Sequence, residues 1–155
     1  VTASEHLQSF PAQAAIRPLQ GSWGTNGDFS MWLNPETEWT WKRLWPLEDL
    51  FWTTAPKALK ASEESRSLLG QAARQLLLAQ SSDWQFMIST GAVPDYAELR
   101  MNLHCDDAES LLEALKPGAP EGALALALEM VPQLQVRDDI FPNILDSVAE
   151  VLGRR

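Results

Sequence analysis

The 155-residue sequence holds one cysteine, one tyrosine and two histidines. The single cysteine, Cys105, excludes an internal disulfide and any cysteine-rich zinc site, and it fits a reducing, cytoplasmic setting. His6 and His104 stand far apart, with no ligand cluster around either, so no resident metal or other cofactor is expected. Basic residues are scarce. Twelve Lys and Arg face 21 Asp and Glu, for a net charge of -9. An acidic surface of this kind repels phosphate backbones and anionic bilayers, which argues against nucleic acid and membrane as partners. Long apolar runs are missing too: the run Gly122–Leu128 falls far short of the ~18 residues of a spanning helix. There is no glycine-rich phosphate loop, no internal repeat and no strong alternation of apolar and polar residues. Residue 1 is Val and no basic-then-apolar leader follows, so the chain is expected to begin inside a longer protein.

Tryptophan is abundant by contrast. Six of the seven (Trp23, Trp32, Trp39, Trp41, Trp45 and Trp52) crowd into one stretch, and only Trp84 lies outside it. The first third is also rich in Gly, Pro and Asn, whereas the remainder is rich in Leu, Ala and Glu. The expected fold is mainly α: an irregular, Trp-rich N-terminal segment followed by a helical bundle. Three long helices are expected near 62–80, 93–116 and 121–135. Ser62-Glu63-Glu64 opens the first, and Leu68, Leu69, Ala72, Ala73, Leu76 and Leu77 form its buried stripe. Pro94 suits the first turn of the second, whose Ala97, Met101, His104, Ala108, Leu111 and Leu115 repeat at 4-3-4-3-4 spacing. A short helix near 83–89 caps one end, with Trp84 joining the core.

Elsewhere the elements are short. Ser4-Glu5 starts a helix to about Phe10, and Glu36–Arg43 forms another that Pro46 ends or kinks. Leu47–Thr53 adds a turn or two, and Asp146–Leu152 a short tail helix. Gly21, Gly24 and Gly27 read as positive-φ loop positions. The domain plan is a single unit over 1–155: Trp-rich loop and short helices over 1–56, bundle over 57–142, tail over 143–155.

Catalytic chemistry is hard to find. His104 lies on the helix seam and reads as a hydrogen-bonded core histidine. Cys105 points roughly 100° around the helix from it, which makes it an inert, partly buried thiol rather than half of a Cys–His pair. Glu36, Glu38, Glu48 and Asp49 lie in the aromatic segment, but nothing in their spacing singles out the acid and nucleophile that glycoside cleavage needs. They read as solvated helix charge.

The most informative segment is 21–34, in which Trp23 and Trp32 bracket a glycine-rich loop. Indoles offer flat apolar faces at low entropic cost. A pyranose stacks on such faces, and Asn26, Asp28 and Asn34 could meet its hydroxyls. The same two rings equally suit core or interdomain packing, and the residues by themselves leave both readings open.

Gly-Ser-Trp-Gly at 21–24, Trp32-Leu33-Asn34 and Thr37-Glu38-Trp39-Thr40-Trp41 occur in order. So do Ala73-Arg74 through Leu76-Leu77-Leu78, Gln80-Ser81-Ser82-Asp83-Trp84 and Thr90-Gly91. Tyr96-Ala97 with Arg100 and His104 follow, then Asp138-Asp139 with Phe141-Pro142. In this ordered set, spanning 21–142, the chain resembles the C-terminal helical domain of the 1,4-α-glucan branching enzymes of glycoside hydrolase family 57. The resemblance implies an accessory domain of an enzyme that cleaves an α-1,4 link, holds the glucan as a glycosyl-enzyme intermediate, and transfers it to a 6-hydroxyl with retention, as in glycogen-type synthesis. It implies that a β/α barrel bearing both catalytic carboxylates lies outside this chain. The chain then has no catalytic residue, is inactive alone, and packs on that barrel. It also places the glucan-contacting aromatics on Trp23 and Trp32; Asp28, read from the loop itself, is a further candidate for substrate contact. Two other readings stand beside it: a stand-alone carbohydrate-binding module and a helical interaction domain with all its Trp buried.

Overall fold

The computed structural model describes residues 1–24 and 26–154; Thr25 of the aromatic loop and Arg155 of the tail lie outside the described residues. The chain divides into two compact units, Val1–Ser30 and Met31–Arg155. In the first, α1 (Ala3–Ser9) is opened by a capping box: Thr2 Oγ1 accepts from the Glu5 amide and Glu5 reaches back to the Thr2 amide. None of its residues is buried.

Among the described residues, the second unit is a bundle of six helices: α2 (Glu38–Ala58), α3 (Glu63–Ala79), α4 (Asp83–Thr90), α5 (Pro94–Ala114), α6 (Ala123–Arg137) and α7 (Ile144–Gly153). No strand occurs among the described residues. The mainly α reading holds, and α3, α5 and α6 are the three long helices expected. The Trp-rich segment departs from expectation, since α2 is a fourth long helix that runs straight through Pro46. A proline inside a helix costs about 3 kcal/mol because one backbone hydrogen bond is lost. Burial outweighs that cost: Leu44, Leu47, Phe51, Ala55 and Ala58 form one continuous seam, while Pro46 faces outward.

α3 is the central element and packs on α2, α5, α6 and α7. Ser62 caps it, accepting from the Ser65 amide at 3.3 Å. Leu68, Leu69, Ala72, Ala73, Leu76 and Ala79 are buried, whereas Leu77, expected in the stripe, turns off it and is 46% exposed; Gly70 lies against Leu145 of α7. The α5 seam is buried at Ala97, Met101, His104, Ala108 and Leu111. It closes on Leu112 rather than Leu115, because the helix ends at Ala114 and Leu115 is only half-buried. Trp84 is likewise half-buried at the core edge, where its Nε1 donates to the Leu78 carbonyl at 2.7 Å and closes the end of α3.

Cys105 is fully buried rather than partly so, and burial raises its thiol pKa to about 11. His104 is a fully buried core histidine, as expected. Its Nε2 faces the Arg100 guanidinium at 3.1 Å, which can only donate, so Nε2 accepts and Nδ1–H donates to Gln75 Oε1 at 2.7 Å. Gln75 Nε2 donates to Asp138 Oδ2 at 3.0 Å, and Arg137 donates to Asp138 at 2.6 Å and to Asp107 at 2.5 Å. Arg74 Nε donates to the Ile140 carbonyl at 2.6 Å. A buried polar row of α3 thereby grips the link between α6 and α7.

Leu111 is fully buried and Leu99, on the same helix, is 66% exposed. Leu111→Ala is expected to cost about 2–5 kcal/mol in urea unfolding, and Leu99→Ala roughly 0.5 kcal/mol. Equal costs would place the α5 seam on the wrong face.

The His104 pKa is lowered, first by burial and further by Arg100 and Arg137, against the opposing charges of Asp138 and Asp107. Its stabilising effect is complete above the ordinary histidine value of 6.5 and is lost as pH falls toward the lower native value, because the unfolded chain binds the proton first. Asp138 also has a lowered pKa: burial would raise it, but hydrogen bonds from Gln75 and Arg137 prevail, so its loss starts below 3.8. The urea midpoint is expected to decline between about pH 7 and 5. His104→Gln should flatten that stretch, whereas an unchanged slope would remove His104 as its source.

Candidate functional site: the tryptophan-bearing loop and its anchors

In the first unit, the described residues 21–24 and 26–30 are tied together by their own hydrogen bonds. The Ser22 amide donates to the Gly27 carbonyl at 3.0 Å, and the Phe29 amide donates to Ser22 Oγ at 2.8 Å. Gly24 and Gly27 take the positive φ expected of them, 122° and 64°. Gly21 serves another purpose: a Cβ there would meet the Gly27 carbonyl oxygen at 3.0 Å, so glycine is needed for close approach. Phe29 also has φ 68°, a conformation that costs a non-glycine residue about 1 kcal/mol or more and is held by its bond to Ser22.

This closed loop carries Trp23 and Asp28 together. Trp23 is 67% exposed. Asp28 is exposed, and its Oδ1 accepts from the Ser30 amide at 3.1 Å. Hydrogen bonds from Ser30 lower its pKa, so it stands ionised as an acceptor at neutral pH.

Trp32 belongs to the second unit, where it is half-buried. The turn after it is an Asn-Pro-x-Thr knot. Asn34 Oδ1 accepts from the amides of Glu36 and Thr37, and the Asn34 amide donates to Thr37 Oγ1 at 3.1 Å. The Thr37 hydroxyl donates to the Trp32 carbonyl at 2.9 Å, and Trp41 Nε1 donates to the same carbonyl at 2.8 Å. From α4, the Ser89 hydroxyl donates to the Met31 carbonyl at 2.7 Å and accepts from Asn34 Nδ2 at 2.8 Å.

Sequence reasoning found the bracketing Trp pair but missed these anchors. The legible part of the signal was Asn34 and Thr37 at the spacing of a side-chain-capped turn. Ser89 carried none. The remaining Trp divide by environment. Trp39, Trp41, Trp52 and Trp84 pack against the core, whereas Trp45 is 55% exposed, 6.2 Å from Trp41 in ring separation. The acids of the aromatic segment do not converge: Glu38 pairs with Lys42 at 3.0 Å and Glu48 accepts from Gln80.

A family model described as "1,4-alpha-glucan branching enzyme, C-terminal" matches residues 46–148. The chain is 34% identical over 145 residues to the 1,4-alpha-glucan branching enzyme TK1436 of Thermococcus kodakarensis, covering 93% of this chain and 21% of that protein. It is 32% identical over 115 residues to a probable 1,4-alpha-glucan branching enzyme of Mycobacterium tuberculosis, covering 68% of this chain and 21% of that one. Among solved structures it is similar to the GH57-type branching enzyme of Pyrococcus horikoshii, with a TM-score of 0.79 and 33% identity over 91% of this chain and 26% of that chain. The crystal structure of TK1436 in complex with glucose gives a TM-score of 0.77 at 34% identity, again over 91% of this chain and 26% of that one. The chain thus spans about a fifth of the length of the curated relatives it matches.

The Thr37 hydroxyl is buried and engaged as both donor and acceptor. Thr37→Val, which keeps the shape and removes those bonds, is expected to destabilise the chain by about 1–3 kcal/mol in urea. A loss below roughly 0.5 kcal/mol would mean that the knot is not held by this hydroxyl.

Proposed function

This chain belongs to the C-terminal domain family of the GH57 1,4-alpha-glucan branching enzymes, and from that premise we propose that it forms the acceptor-side wall of such an enzyme's glucan site. The reaction joins a transferred α-1,4 glucan to a 6-hydroxyl, making an α-1,6 branch with retention. The catalytic carboxylates belong to a barrel domain outside this chain, on which this domain packs. The proposed setting is the cytoplasm, and the proposed partner is an α-glucan of the amylose or glycogen kind.

The observation that carries this reading is Trp23. A large ring, two-thirds exposed, is presented on a loop closed by its own hydrogen bonds and positive-φ glycines. Unsupported exposure of an indole is unfavourable, and a rigid mount lowers the entropic cost of stacking a sugar on it. Asp28, ionised on the same loop, can accept from sugar hydroxyls. Trp32, in the second unit and held from both sides along the backbone, is proposed as a sugar face in its own right.

The physical need is plain. A glycosyl-enzyme intermediate is consumed by whichever hydroxyl reaches it first, and water is present in vast excess. Aromatic faces that hold an acceptor chain in register and exclude water favour transfer. Losing one ring removes about 1–3 kcal/mol of acceptor binding, roughly a tenfold to hundredfold effect. In the full-length enzyme, Trp23→Ala and Trp32→Ala are each expected to lower branch formation more than glucan hydrolysis, read as new α-1,6 linkages against released reducing ends. If both variants keep the parent's ratio, the rings are packing residues and the proposal fails.

A further inference from the structure

The two peptide planes that flank the Trp32 Cα are both held, from different parts of the fold. The plane after Trp32 is held at its carbonyl by Thr37 and Trp41, five and nine residues along the chain. The plane before it ends in the Met31 carbonyl, and Ser89 of α4 holds that one at 2.7 Å across 58 residues of sequence. With both planes fixed, φ and ψ of Trp32 are fixed, and with them the direction in which the indole leaves the backbone.

Ser89 is arranged for this task. A serine inside a helix commonly turns its hydroxyl back onto the carbonyl four residues earlier. The neighbouring Thr90 does so, bonding the Phe86 carbonyl at 2.8 Å. The Ser89 hydroxyl is instead directed out of the helix to Met31, and the Asn34 side-chain amide occupies its oxygen from the other side at 2.8 Å. One turn earlier on the same face, the buried Gln85 donates to Thr40 Oγ1 at 3.1 Å, and that hydroxyl donates to the Thr37 carbonyl at 2.7 Å. One face of α4 therefore grips the Trp32 turn at two points.

We infer that Ser89, backed by Gln85, is a positioning residue that sets the orientation of the Trp32 ring, so that α4 couples this ring to the bundle. The consequence for transfer rests on the reading of Trp32 as a glucan face; the orienting role does not. Removing the Ser89 hydroxyl frees the plane between Met31 and Trp32 to rotate, while the Trp32 carbonyl stays anchored. The ring then samples several directions and an acceptor sugar loses its register.

The test labels the chain with 5-fluorotryptophan and follows the Trp32 resonance by fluorine NMR, assigned through Trp32→Phe. In Ser89→Ala the Trp32 signal is expected to shift or broaden, while those of Trp45 and Trp52 on α2 stay in place. Ser89→Thr, which restores the hydroxyl, should return the signal to its parent position. Ser89→Cys, close in shape and a weak donor, substitutes if the alanine variant does not fold. A Trp32 signal unmoved in the folded variant overturns the inference. In the full-length branching enzyme, Ser89→Ala should lower the ratio of branching to hydrolysis by roughly threefold to tenfold, less than Trp32→Ala, with rescue by Ser89→Thr. If Trp32→Ala lowers the ratio and Ser89→Ala does not, positioning for transfer is refuted. If Trp32→Ala itself leaves the ratio unchanged, the reading of Trp32 as a glucan face fails, and the fluorine signal alone decides the role of Ser89.

Discussion

A single buried carboxamide, that of Gln75, is the point on which the bundle depends. α3 packs against four other helices, so a polar residue on its inward face has no access to water. Gln75 is fully buried, and it meets that constraint by accepting from His104 of α5 and donating to Asp138 beyond α6. Each partner is itself close to fully buried and is satisfied in turn by Arg100 or Arg137. A network of this kind is strong while complete, because every member would otherwise leave a polar group stranded in a low dielectric. It also fixes register. α5 and the segment after α6 can dock on α3 in only one alignment, which apolar seams alone would specify less sharply.

The position of α4 follows from the same helix. Trp84 caps the carbonyl end of α3 through Leu78, and its ring lies 6.1 Å from that of His104 and 6.4 Å from that of Tyr96. α4 is thus pinned between the end of α3 and the start of α5. Pinned there, it presents Gln85 and Ser89 to the turn that carries Trp32. The path from the core to the proposed glucan face is short and consists of specific hydrogen bonds.

Much of this was legible in the sequence, and the reasons differ by element. The α3 and α5 stripes announce themselves because both helices bury one continuous face of Leu, Ala and Met at helical spacing. α2 does not, because local propensity reads Pro46 as a break, whereas its seam, Leu44 to Ala58, is a tertiary effect that outweighs a missing hydrogen bond. The Trp23 loop was visible through its glycines, though Gly21 is required for space and only Gly24 and Gly27 for backbone angle. The seam position of His104 marks it as a core histidine, and it is fully buried. The roles of Gln75, Asp138 and Ser89 were invisible, since polar partners distant in sequence leave no periodic trace.

Trp23 and Trp32 are proposed as faces for glucan rather than packing residues. The most direct measurement is a structure of the full-length branching enzyme with a maltooligosaccharide bound on the acceptor side. The expected result is a pyranose stacked within about 4.5 Å of at least one of the two indoles, with Asp28 turned toward its hydroxyls. An acceptor chain lying elsewhere, with both rings covered by protein, would contradict it.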